Sequence, residues 1–89
     1  MKNITYFRLS LCPYCRRAEK YIKELKQENP QYADIHINMI DENKNRHISD
    51  KYDYWYVPCF YLGGEKLHEG AASKENIKQV LDAALRSAC

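Results

Sequence analysis

Apolar and polar positions along the chain alternate in a way that divides it into seven stretches. Ile4, Tyr6, Phe7 and Leu9 form a dense apolar run without clean alternation, which predicts a central strand over residues 3–9. From Ala18 the apolar residues recur three and four apart, as Ala18, Tyr21, Ile22 and Leu25, which predicts a helix over residues 13–27, stopped by Asn29-Pro30. Arg16, Arg17, Glu19, Lys20, Lys23, Glu24 and Lys26 fall on its solvated face. Residues 35–40 read as a second strand nearer the sheet's edge, with Ile35, Ile37 and Met39 on one side and His36 and Asn38 on the other. A polar turn from Asp41 to Asn45 then leads into a short helix reaching about Tyr52, with Ile48 and Tyr52 as its buried edge.

Two further short runs, residues 57–62 and 65–69, are joined by Gly63-Gly64 and predict a β-hairpin. Pro58 fits there only at the first position of its strand or at a cis bond. Beyond Gly70, Ser73 caps a last helix with Ile77, Val80, Leu81, Ala84 and Leu85 as its apolar stripe. The order is β, α, β, α, β, β, α. A strand–helix–strand crossover makes the first two strands parallel, and the hairpin adds two antiparallel ones.

Cys12-Pro13-Tyr14-Cys15 sits where the first apolar run ends and the first helix begins. At a helix start, unpaired backbone N–H groups and the positive end of the dipole favour negative charge, so a thiol at Cys12 is placed to react as thiolate. Pro13 suits the first helical position, where its missing N–H costs nothing. A spacing of three puts Cys12 and Cys15 on one helix face, within reach of a disulfide. Cys12 is then the exposed nucleophile and Cys15, one turn deeper, the resolving thiol.

The chain has 89 residues, enough for one domain spanning residues 1–89 and too few for two cores. A formal net charge of +2, with 14 basic residues against 12 acidic, leaves no basic block for nucleic acid. No apolar stretch is long enough to span a bilayer, and residues 1–9 lack the pattern of an export signal, so the expected location is cytoplasmic. In a reducing compartment, cysteines at 12, 15, 59 and 89 fit a catalytic pair better than a disulfide framework.

A closed zinc site wants four ligands. Cys59 and the scattered His36, His47 and His68 offer no second paired spacing, so no metal is expected. Tyr14 reads either as a surface aromatic or as a wall for the substrate, and Arg16 and Arg17 either as solvated charges or as cations that attract an anionic substrate end. In the run Tyr54-Trp55-Tyr56, one side is expected in the core while the other lines a groove. Cys59 has two readings: a small apolar residue facing the core, which is preferred, or a third thiol near Cys12 able to form an alternative disulfide. Cys89 reads as an exposed thiol at the chain end.

With Cys12-Pro13-Tyr14-Cys15-Arg16-Arg17-Ala18, Val57-Pro58 and Gly70, the chain resembles the glutaredoxins, and more broadly the thioredoxin superfamily, over nearly its full length. The resemblance implies an α/β fold of thioredoxin type: a four-stranded mixed sheet in the order 2-1-3-4, with one helix on one face and two on the other. It implies a cis Pro58 beside Cys12 and a Val57 backbone that pairs with a bound glutathione or peptide; Pro13, Tyr14, Arg16, Tyr56, Val57, Pro58, Gly70 and Ala71 then line the substrate site. The implied activity is reduction of protein or glutathione-mixed disulfides by a monomer with no bound cofactor, and glutathione as electron donor. The chain departs from the family at three places: no lysine shortly precedes Cys12, Tyr56 stands where Thr is usual, and Gly70-Ala71-Ala72-Ser73 replaces the Gly-Gly and Asp that grip the γ-glutamyl end of glutathione. Gly70-Ala71-Ala72-Ser73-Lys74 is closer to the matching stretch of thioredoxins, which makes a thioredoxin-like protein served by a flavoprotein reductase the alternative. An iron–sulfur or metal-binding module is a further one.

Overall fold

The computed structural model describes residues 3–86; Cys89 lies outside them. Strand β1 is Ile4–Arg8, helix α1 Pro13–Glu28, strand β2 Ile37–Asp41, helix α2 Arg46–Ser49, strands β3 and β4 Cys59–Leu62 and Glu65–Glu69, and helix α3 Lys74–Arg86. The fold is the expected thioredoxin-type α/β arrangement: one sheet in the order β2-β1-β3-β4, with β1 and β2 parallel and β1, β3 and β4 antiparallel.

On one face of the sheet, Ile4 and Tyr6 of β1 and Phe60 and Leu62 of β3 pack against Cys15, Ala18 and Leu25 of α1 and Ile77, Val80, Leu81 and Ala84 of α3. The rings of Tyr6 and Phe60 stack at 4.7 Å between centroids. On the other face, Phe7, Ile40, Cys59 and Tyr61 form a second cluster closed by Ile48, Tyr52 and Tyr54. Two helices thus lie on one side and one on the other, because β1 and β3 bury both faces and each needs a cover.

α3 begins with a reciprocal cap: the Asn76 N–H donates to Ser73 Oγ at 3.1 Å, and the Ser73 N–H to Asn76 Oδ1 at 3.0 Å. In the hairpin, Gly63 turns with φ +62°, and Leu67 is an extra residue opposite β3, a bulge that directs it toward the first cluster.

Three local expectations are corrected. Ile35 is buried but precedes β2, and Met39, assigned to the same covered side, is half exposed at 51%: as the edge strand, β2 is covered by α1 only in part. α2 is a single turn rather than a helix to Tyr52; its capping residue Asn45 makes no side-chain cap, and its amide instead donates to the Asp41 carbonyl at 3.1 Å. Glu19 and Lys26 are not merely solvated. Lys26 Nζ donates to the Ile35 carbonyl at 2.7 Å, and Glu19 is drawn under the helix.

Candidate active site

The strand pairings bring four loops to one end of the sheet. Arg8 lies opposite Asp41, Phe7 opposite Cys59, and Cys59 opposite Glu69. The segments leaving β1, β2 and β4 and the one entering β3 therefore meet there. These carry Cys12, Asn43, Ala71 and Pro58.

Cys12 is the N-cap of α1, with extended backbone (φ −87°, ψ 115°) and Pro13 at the first helical position. Its Sγ accepts the Cys15 N–H at 3.4 Å, so sulfur takes the role a serine or aspartate oxygen plays at other helix starts. The thiol is half buried and thus open to a substrate on one side. Cys15 is fully buried, and burial pushes its thiol up to about 11, with the Cys12 sulfur adding to the rise. Cys12, Cys15 and Cys59 are free thiols.

The helix carrying the pair is pinned from below. The Tyr6 hydroxyl, buried on β1, donates to Glu19 Oε2 at 2.8 Å and points at the Cys15 carbonyl at 3.2 Å, while Arg8 Nε donates to the same Glu19 oxygen at 2.7 Å. Burial and the Glu19 carboxylate raise the Tyr6 hydroxyl far above its ordinary value, which favours the protonated, hydrogen-donating form. Tyr14 is half exposed beside the pair, with the Arg17 guanidinium 5.9 Å from its ring centroid. Arg16 is exposed, and its Nη2 reaches the Ser10 carbonyl at 3.4 Å.

The opposite wall is built from two strands' ends. The Val57–Pro58 peptide is cis, Pro58 is fully buried, and Val57 touches both core clusters. Just upstream, Tyr54 stacks on Phe7 at 4.8 Å and donates to Glu42 Oε2 at 3.1 Å, whereas Trp55 and Tyr56 face solvent. The Glu69 carboxylate holds this loop: its Oε2 accepts the N–H groups of Trp55 and Tyr56, and its Oε1 pairs with Lys66 Nζ at 2.9 Å. The Gly70 N–H donates to the Pro58 carbonyl at 2.8 Å. Gly70 has φ +91°, and a Cβ there would stand 3.8 Å from that of Tyr56. The His68 ring lies 3.2 Å from the Gly70 carbonyl and 3.1 Å from that of Ala71, which is exposed.

Of the residues read from sequence, Cys12, Pro13, Tyr14, Cys15 and Arg16 fall on one wall and Tyr56, Val57, Pro58, Gly70 and Ala71 on the other. Cys59 takes the core reading: it lies in the second cluster, on the sheet face opposite Cys15, and burial pushes its thiol up to about 12. The sequence reading passed over Tyr6, Glu19 and Glu69, each of which has a partner far away along the chain. For Glu69 the available signal was slight: a carboxylate directly before a glycine at a strand end.

A cleft of about 230 Å³ beside the nucleophile is lined by Leu9, Ser10, Leu11, Cys12 and Asn43. A larger groove of about 430 Å³ runs between α1 and β2, past Ile22, Ile35, Ile37 and Met39, but no thiol lines it. Among the described residues no three His, Cys, Asp or Glu side chains cluster as metal ligands, and no helix is long and apolar enough to cross a membrane.

A family model described as a thioredoxin domain matches residues 2–82. A thioredoxin of Methanocaldococcus jannaschii is 24% identical over 79 residues, which cover 89% of this chain and 91% of that one. Among solved structures, oxidised thioredoxin O1 of Arabidopsis thaliana superposes with a TM-score of 0.68 at 25% identity, over 93% of this chain and 77% of that one. Oxidised thioredoxin of Plasmodium falciparum gives 0.68 at 19% identity, over 91% and 78%, and shares the fold.

Proposed function

The chain belongs to the thioredoxin-domain family, and from that premise we propose that it is a dithiol–disulfide oxidoreductase that reduces protein disulfides through Cys12 and Cys15. The observation that carries this reading is the unequal pair: Cys12 half exposed at the helix start with its sulfur on the Cys15 N–H, and Cys15 buried behind it. In the reaction, the Cys12 thiolate attacks one sulfur of the target disulfide. A Cys12–target disulfide forms and the other target sulfur leaves as a thiolate, which takes a proton from solvent. Cys15 then loses its proton and attacks Cys12 Sγ, releasing the second target thiol and leaving a Cys12–Cys15 disulfide. Two electrons have passed to the target, and an external dithiol or thiol reductant restores the pair.

For that reductant a flavoprotein reductase is the first choice. It is favoured by the thioredoxin relatives and by the Gly70-Ala71-Ala72-Ser73 segment, which lacks the γ-glutamyl grip of the glutaredoxins. Glutathione is the second reading, favoured by Cys12-Pro13-Tyr14-Cys15. The primary test is insulin reduction with dithiothreitol as electron source. Cys12→Ser is expected to lower turnover by about a thousandfold or more, and Cys15→Ser to accumulate a target-linked disulfide on Cys12. Turnover retained in Cys12→Ser removes the reading. Replacing dithiothreitol with glutathione and glutathione reductase, or with a thioredoxin reductase, then separates the two donors.

A further inference from the structure

Five large apolar side chains stand exposed among the described residues, and four of them, Leu11, Tyr14, Trp55 and Tyr56, are on the segments that flank Cys12 and Pro58. Apolar side chains scattered singly need no explanation, but a group gathered at the end of the sheet that carries Cys12 marks a contact surface. Trp55 is the most exposed of the aromatic ones at 85%. It is nevertheless carried on a fixed backbone. Tyr54 before it is stacked on Phe7 and bonded to Glu42, and Pro58 after it is fully buried. Between these anchors, one Glu69 oxygen takes the N–H groups of both Trp55 and Tyr56, while Lys66 holds the other oxygen and the N–H of the next residue, Gly70, donates to the Pro58 carbonyl.

We infer that Glu69 is a positioning residue that presents Trp55 as a preformed platform for the apolar side chains beside a protein disulfide, so that the site favours polypeptide disulfides over small, charged ones such as oxidised glutathione. This rests on the thiol–disulfide reading of Cys12 and Cys15. Holding the loop in advance removes the ordering cost that a mobile aromatic loop would incur on binding. The same latch offers nothing to an anionic peptide end: the N–H groups of Trp55 and Tyr56 are already taken, and by a carboxylate. Glutathione also offers no apolar side chain to lay on an indole.

The test compares kcat/KM for insulin and for oxidised glutathione in the wild-type protein, Trp55→Ala, Glu69→Ala and Glu69→Gln. The insulin-to-glutathione ratio is expected to fall about tenfold in Trp55→Ala and Glu69→Ala, the effect of deleting an aromatic contact residue, mainly through KM for insulin. Glu69→Gln, which keeps a carbonyl oxygen for the two N–H groups, restores most of it. Trp55 is the single tryptophan of the chain, so its fluorescence anisotropy reports the latch directly and is expected to drop in Glu69→Ala. An unaltered ratio in Trp55→Ala, or anisotropy unaffected by Glu69→Ala, overturns the inference while leaving the disulfide chemistry standing. Failure of the reduced wild-type protein to reduce either disulfide overturns the chemistry and the inference together.

Discussion

On the Cys12 side of the site, four consecutive residues carry the geometry: Cys12 caps α1, Pro13 starts it, Tyr14 faces solvent and Cys15 turns inward. On the Pro58 side nothing comparable is local. Trp55 and Tyr56 are held by Glu69, 14 and 13 residues away, and Pro58 is joined to Gly70. The cysteine pair and the loop ahead of Pro58 are thus secured by different physics. A helix start orients a sulfur wherever the helix forms, whereas a recognition loop needs a particular neighbour strand in register beside it.

The largest expected effect comes from the floor that both walls share. Phe60 follows Pro58 and Cys59 into β3 and stacks on Tyr6 beneath the cysteine helix. Phe60→Ala is expected to cost about 3–5 kcal/mol. That is a large part of the stability of a domain this size and should collapse both walls together in urea unfolding. Tyr6→Phe sharpens the comparison from the Cys12 side: the stack remains, but the hydroxyl bridging Glu19 and the Cys15 carbonyl is lost, at an expected cost of about 1–2 kcal/mol. Hydrogen exchange should then show α1 loosened more than the 55–58 loop.

Gly70→Ala acts on the opposite wall. There is room for the methyl group, but φ +91° disfavours any side chain, and a loss of about 1 kcal/mol is expected. Protection should now fall at the 55–58 loop rather than in α1. The smallest effect is a pH dependence confined to that wall. The Lys66 ammonium, with the N–H groups of Trp55 and Tyr56, holds the Glu69 carboxyl at about 2, below its ordinary 4.5. The unfolded chain binds this proton more readily than the folded one, so the latch contributes its full stabilisation above about pH 4.5 and loses it as pH falls through about 2. Urea midpoints measured from pH 6 to 2 should decline more steeply for the wild-type protein than for Glu69→Gln.

Much of the fold was legible because the signals were local and periodic. The spacing of Ala18, Tyr21, Ile22 and Leu25 marked α1, Asn29-Pro30 its end, Gly63-Gly64 the hairpin turn and Ser73 the start of α3. Where periodicity failed, it failed for a tertiary reason. Ile35, Ile37 and Met39 recur at strand spacing, yet coverage of β2 depends on how far α1 extends over the sheet edge. Glu19 falls among charges of a kind usual on a solvated helix face, and only the placement of β1 beneath it supplies Arg8 and Tyr6 as partners.

By itself the sequence determined the order of elements, the pairing of Cys12 with Cys15 on one helix face, and the Val57-Pro58 step ahead of β3, since each depends on residues within a turn or a strand of one another. Tertiary structure alone decided that Cys59 would face away from Cys15, that Tyr6 would anchor the reactive helix, and that Glu69 would latch Trp55. Those outcomes depend on which strand lies beside which and in what register. A contact between residues 14 apart along the chain leaves no period for the sequence to display.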